Sequence, residues 1–186
     1  MRNPLLDRST PRELAVNGQI IEQQEKLGVF PRLTEVLAKD LSSLERKDVP
    51  RQWRQAPVAI KLSFGWGDSR QTIPALEGGV RTRIPAVCQR CLGPLQVALE
   101  VDLKLMLAAP GRNVAETEGY EIWELEESDL RPLDILDEAL IMAMPLSALH
   151  ASDEICAPPA DIGPSPDSED TIRPFADLRS QMRDND

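Results

Sequence analysis

Between residues 58 and 107 apolar and polar side chains alternate with a period of two, the pattern of strands with one face on a core and one in water. Val58, Ile60, Leu62, Phe64 and Trp66 alternate with Ala59, Lys61, Ser63 and Gly65. Gly67-Asp68 reads as a turn, and Gly78-Gly79 as a second. Val80, Thr82, Ile84 and Ala86 then alternate with Arg81 and Arg83. Farther on, Leu95, Val97, Leu99, Val101, Leu103, Leu105 and Leu107 share one parity, with Gln96, Glu100, Asp102 and Lys104 on the other. These last two runs flank Val87–Pro94 and predict a long antiparallel hairpin. Its turn carries Cys88 and Cys91. Tyr120, Ile122 and Leu125 suggest one more strand, with Trp123 nearby.

The ends of the chain read differently. Residues 1–55 predict helical or irregular structure: Leu14, Ile20 and Ile21 lie in a polar stretch from Pro11 to Gln24, and Leu33, Val36, Leu37, Leu41 and Leu44 form a helical stripe. Residues 132–144 predict a helix, with Pro132 in its first turn, Leu133, Leu136, Leu140 and Met144 on one face, and Pro145 as its stop. From Ala157 the chain turns rich in Pro, Asp and Ser, the composition of a flexible tail. Within that tail Ile172, Phe175, Leu178 and Met182 recur at helical spacing. The expected architecture is a single α+β domain over 1–156, with antiparallel strands over 56–128 covered by the helix at 132–144. The tail 157–186 follows, carrying a short apolar segment at 172–182.

Composition narrows the function. The 186 residues suffice for one domain with a core. No apolar run approaches the roughly 20 residues of a membrane span, and the charged, Pro-interrupted start does not read as a signal peptide. A cytoplasmic protein is expected, whose three Cys are free thiols or ligands. The net charge of −10 is uneven: residues 111–186 hold 5 basic and 19 acidic residues, residues 1–110 hold 16 and 12. Nucleic-acid binding needs a local positive face. Only the N-terminal part could supply one, and the candidate RNA contacts are Arg81, Arg83 and Arg90, whose plainer reading is a solvated strand face or loop. Aromatic residues make up 4%, too few for a base-stacking platform.

The Cys pair carries the candidate chemistry. A thioredoxin-type dithiol opens a helix, where the dipole lowers a thiol pKa. Here Gly93-Pro94 and a strand follow Cys91, so redox catalysis lacks its setting. A zinc half-site suits a Cys-x-x-Cys knuckle at a hairpin turn. Cys156 and the only His, His150, are the donors that could complete a closed tetrahedral set. Against that, His-x5-Cys is loose spacing, and His150 reads also as a surface loop residue. Hydrolysis has little support: one His, no Gly-x-Ser-x-Gly turn and no His-Glu-x-x-His helix. A zinc- or thiol-dependent enzyme and a general protein-interaction module remain the alternatives. The tail stripe reads either as a turn docking on its own domain or as a partner-docking segment carried by Phe175, Leu178 and Met182.

Taken in order, these segments resemble one family, the YceD-like large ribosomal RNA subunit accumulation proteins. The resemblance rests on Cys88-Gln89-Arg90-Cys91-Leu92 with Pro94, the helix Leu133-Asp134-Ile135-Leu136-Asp137-Glu138-Ala139-Leu140, its exit Met144-Pro145-Leu146, then His150 and Cys156, and the tail Arg173-Pro174-Phe175-Ala176-Asp177-Leu178. It runs from about residue 10 to residue 183. It implies a bacterial, cytoplasmic, non-enzymatic ribosome biogenesis factor that supports synthesis, processing or stability of 23S rRNA. Such a factor acts on large-subunit rRNA or a pre-ribosomal particle, directly or through a protein partner, with neither membrane nor small-molecule substrate. Some relatives carry more late cysteines, where this chain has only His150 and Cys156.

Overall fold

A computed structural model describes residues 3–109, 111, 119–151 and 156. The fold is mixed α+β: one five-stranded sheet in the order β1-β2-β3-β4-β5, with helices packed on one face. The strands are β1 (Ile20–Lys26), β2 (Pro57–Trp66), β3 (Pro74–Val87), β4 (Pro94–Ala108) and β5 (Glu121–Glu124). The helices are α1 (Pro11–Val16), α2 (Pro31–Leu41) and α3 (Pro132–Met142). Among the described residues no helix is long and apolar enough to cross a membrane.

Alternation decides which face of the sheet is dry. Val58, Ile60, Leu62 and Phe64 of β2 face Thr82, Val80, Gly78 and Leu76 of β3, which face Leu99, Val101, Leu103 and Leu105 of β4. With Phe30, Leu33 and Leu37 of the α2 region and Leu133, Leu136 and Leu140 of α3, these side chains build the main core. On the wet face, neighbouring strands pair opposite charges: Arg81 with Glu100 at 2.6 Å and Lys61 with Glu22 at 3.6 Å. These pairs are exposed and contribute little to stability.

Three expectations are corrected. The first concerns residues 1–55, where β1 pairs antiparallel with β2, Ile21 opposite Leu62. The signal was Asn17-Gly18. Gly18 takes φ +52°, and the amides of Gly18 and Gln19 bond back to Ala15 and Leu14, closing α1 just before the β-branched pair Ile20-Ile21. The second is Gly78-Gly79, which lies inside the continuous β3 and is no turn. Gly78 has φ +144°, and a Cβ there would stand 2.0 Å from the Lys61 carbonyl oxygen. The position demands the absent side chain for strand approach. The third is the expectation of a purely antiparallel sheet: β5 pairs parallel with β4, Met106 opposite Ile122. A two-residue turn cannot make that connection, and residues 109–120 supply the length for a crossover. The expected tail, 157–186, lies outside the described residues.

One polar contact ties the helices together. The first turn of α2 leaves amides without intrahelical partners, and Phe30 before it offers no side-chain cap. Asp137, on α3 and 2% exposed, accepts from the amides of Arg32 and Leu33, each at 2.9 Å. A carboxylate also suits the positive end of the α2 dipole. The spacing of Asp134, Asp137 and Glu138 suggests residues serving α3's own dipole. In the fold Asp137 serves its neighbour instead.

Two predictions follow from these contacts. Asp137→Ala leaves the buried Leu33 amide and the partly buried Arg32 amide unpaired and should cost about 2–4 kcal/mol in urea unfolding, with an unchanged denaturant slope. Gly78→Ala forces β3 away from β2 and should cost about 2 kcal/mol or more, read the same way.

Candidate metal centre

β3 ends at Val87 and β4 begins at Pro94, paired with it, so residues 88–93 form the hairpin turn. The turn is held by backbone bonds: the Cys88 amide donates to the Gly93 carbonyl and the Leu92 amide to the Cys88 carbonyl, both at 2.9 Å. Leu92 closes the turn at φ +57°, a left-handed conformation costing a residue with a Cβ roughly 1–2 kcal/mol. Its side chain points to solvent, 58% exposed.

The chain leaving α3 returns to this turn. The Gln89 amide donates to the Ala148 carbonyl at 2.9 Å, which docks the segment two residues before His150. Cys156 is also brought in and is 3% exposed. The outcome is a cluster of Cys88, Cys91, His150 and Cys156 whose candidate ligand atoms all lie within 4.8 Å of one another. The Sγ atoms of Cys88 and Cys156 are 3.5 Å apart, and Cys91 Sγ is 3.4 Å from His150 Nδ1. All three cysteines are free thiols.

The four donor atoms lie close enough to hold a metal ion. Zinc–sulfur bonds near 2.3 Å and zinc–nitrogen bonds near 2.0 Å would hold two sulfurs about 3.8 Å apart, and sulfur and nitrogen about 3.5 Å apart. Three sulfurs and one imidazole nitrogen are also the ligand chemistry zinc favours. The surroundings orient these atoms. His150 Nε2 lies 3.2 Å from the Pro94 carbonyl, which can only accept, so the ring proton sits on Nε2 and the Nδ1 lone pair faces the cluster.

Electrostatics prepare the sulfurs unequally. Burial opposes ionisation of Cys88. The amides of Cys91, Arg90 and His150 and the thiol of Cys156 all bond its sulfur, and the balance pushes it down to about 5. Burial pushes Cys156 up to about 11, and the neighbouring sulfurs of Cys88 and Cys91 add to the rise. Three thiols in one place thus share limited negative charge, until a cation is there to compensate further ionisation.

The other predicted site residues do not join this cluster. Arg81 and Arg83 lie on the wet face of β3, exposed, with Arg81 paired to Glu100. Arg90 is exposed in the turn between the two cysteines. Phe175, Leu178 and Met182 lie outside the described residues. A cleft of about 490 Å³ between β5 and the start of α3 holds several charged groups that no motif singled out. They pair with one another: Arg8 with Glu127 and Asp129, Arg131 with Asp134, and Arg32 with Glu138.

Residues 76–180 match the family described as "Large ribosomal RNA subunit accumulation protein YceD". The matched span starts in β3, takes in the turn, all four clustered side chains and α3, and ends beyond Phe175 and Leu178. Neither a curated protein nor a solved structure matches the chain significantly. Since the match covers more than half of its 186 residues, the chain belongs to the YceD family of large ribosomal RNA subunit accumulation proteins.

Proposed function

We propose that this protein is a non-enzymatic, cytoplasmic ribosome biogenesis factor that supports synthesis, processing or stability of 23S rRNA. The observation that carries this reading is the family match over residues 76–180. In it the Cys88, Cys91, His150 and Cys156 cluster holds a structural zinc ion. Four protein donors fill a tetrahedron and leave no position for a substrate, so the ion's work is to brace the hairpin against the chain leaving α3.

Contact with the large-subunit rRNA or pre-ribosomal particle runs through a protein partner. A chain of net charge −10 is a poor electrostatic match to phosphate, and Arg81 is already engaged by Glu100. Phe175, Leu178 and Met182 are the docking element for that partner. Direct phosphate contact by Arg81, Arg83 and Arg90 is the opposing case. It would make association with the particle fall steeply with salt and would be abolished by charge reversal at Arg81 and Arg83.

Purified protein should carry about one zinc per chain by elemental analysis, as a closed four-ligand site requires. Cys88→Ser should lose it. A strong chelator should lower Tm in the native chain and leave the Cys88→Ser variant unmoved; metal-free native protein of unchanged Tm would refute the ion. Loss of the protein from its host should lower 23S rRNA relative to small-subunit rRNA. Phe175→Ala/Leu178→Ala should reproduce that defect while leaving zinc content intact. An unchanged rRNA ratio in the absence of the protein would overturn the functional reading.

A further inference from the structure

Strand β5 is paired on one side only. Its inner edge bonds to β4: the Leu125 amide donates to the Ala108 carbonyl at 3.0 Å, and Glu121 to Glu124 lie beside Leu105 to Ala108. Main-chain groups leave a strand toward alternate neighbours. The amides of Trp123 and Leu125 therefore serve β4, and the amides and carbonyls of Ile122 and Glu124 point outward. β5 is the last strand in the sheet order, and among the described residues nothing pairs with its outer edge. The cleft of about 490 Å³ follows that edge. Ile122, Trp123, Glu124 and Leu125 all line it. Successive side chains leave a strand on opposite faces, and β4 fills one edge, so a cleft touching all four residues reaches β5 from its outer edge.

The charges of the cleft say what can fill the edge. Three arginines and six carboxylates line it, and the arginines are taken: Arg8 by Glu127 and Asp129, Arg131 by Asp134, and Arg32 by Glu138. Glu124 and Glu126 line the same cleft, are exposed, and have no cation beside them among the described residues. Glu124 accepts only from the neutral Gly111 amide, at 3.2 Å. Between the charges lie the 42% exposed Ile122 and the half-buried Trp123. An open sheet edge takes up another strand through main-chain bonds, and neighbouring side chains select which strand. A second copy is a poor candidate, because β5 against β5 sets Glu121 and Glu124 against carboxylates. The rest of the acidic half of this chain, with 5 basic and 19 acidic residues over 111–186, has the wrong sign too. An extended segment of positive charge has the right one.

We propose that the outer edge of β5 receives an extended basic segment of a protein partner, which adds to the sheet as another strand. Its main chain exchanges hydrogen bonds with Ile122 and Glu124. Its side chains alternate: Lys or Arg on the face of Glu124, apolar residues on the face of Trp123. The proposal rests on the reading that a protein partner links this chain to the pre-ribosomal particle, and adds the chemistry of that partner and a second place where it is held.

Fluorescence anisotropy of a labelled peptide, about eight residues of alternating lysine and valine, titrated with the purified full chain, tests it. Binding should saturate with a Kd on the order of 0.1 mM or tighter, and the glutamate–valine counterpart should not bind. N-methylation of every second amide blocks one edge of the peptide and keeps its charge. In one frame it should weaken binding by about tenfold or more, and in the other frame leave it unchanged. Ile122→Pro removes an outward amide and spares those that serve β4, while Glu124→Lys/Glu126→Lys reverses two exposed charges. Each should weaken binding about tenfold at unchanged Tm. If Ile122→Pro lowers Tm, the charge-reversed variant decides. Absence of saturable binding overturns the proposal, including the case in which a segment of this chain already holds the edge. Equal binding in both methylation frames overturns it as well, since charge alone would then suffice, and so does binding that survives Glu124→Lys/Glu126→Lys. The 23S rRNA ratio is a separate readout: an unchanged ratio without the protein removes the functional reading and leaves the peptide result standing, and a failed peptide leaves the ratio standing.

Discussion

The arrangement depends on a buried carboxylate. Asp137 reaches from α3 into the first turn of α2 and accepts the amides of Arg32 and Leu33. Apolar contacts alone tolerate sliding, since Leu against Leu is favourable over many offsets. A charged acceptor facing two amides is not tolerant, because an unpaired charge in a dry place is costly. Asp137 therefore sets the position of α3 along α2. That position decides where the chain emerges at Ala143, and hence whether His150 arrives at the turn holding Cys88 and Cys91. A link between two helices governs a cluster at the far end of the hairpin.

Much of this was legible in the amino-acid order. The parity of Leu95 through Leu107 specifies β4 and its dry face, because period two survives whatever the partner strands do. The helix at 132–144 is present as α3, two residues shorter at its end. The juxtaposition of Cys88 and Cys91 with His150 and Cys156 was inferable from donor scarcity: a chain with one His and three Cys offers a single way to assemble four such ligands.

What was not legible has a physical reason in each case. β1 hides because its inward positions after Ile21 are Gln23 and Glu25, which bond to Asn3 and so satisfy an edge without apolar residues. Gly78-Gly79 carries the same letters whether it turns the chain or lets a neighbouring strand come close. The distinction lies in Lys61, 17 positions away in sequence. Asp137 is one acidic residue among many, and its role depends on α2 amides that no local pattern names.

The four-donor cluster joins residues 68 positions apart in the chain, Cys88 and Cys156. During synthesis the hairpin with its first two sulfurs leaves the ribosome early, while the last two donors come only after α3 is made. A chain that stops after α3 and before His150 thus holds the Cys88–Cys91 pair without its last two donors. The full donor set exists only in a chain whose translation has passed α3 and reached Cys156.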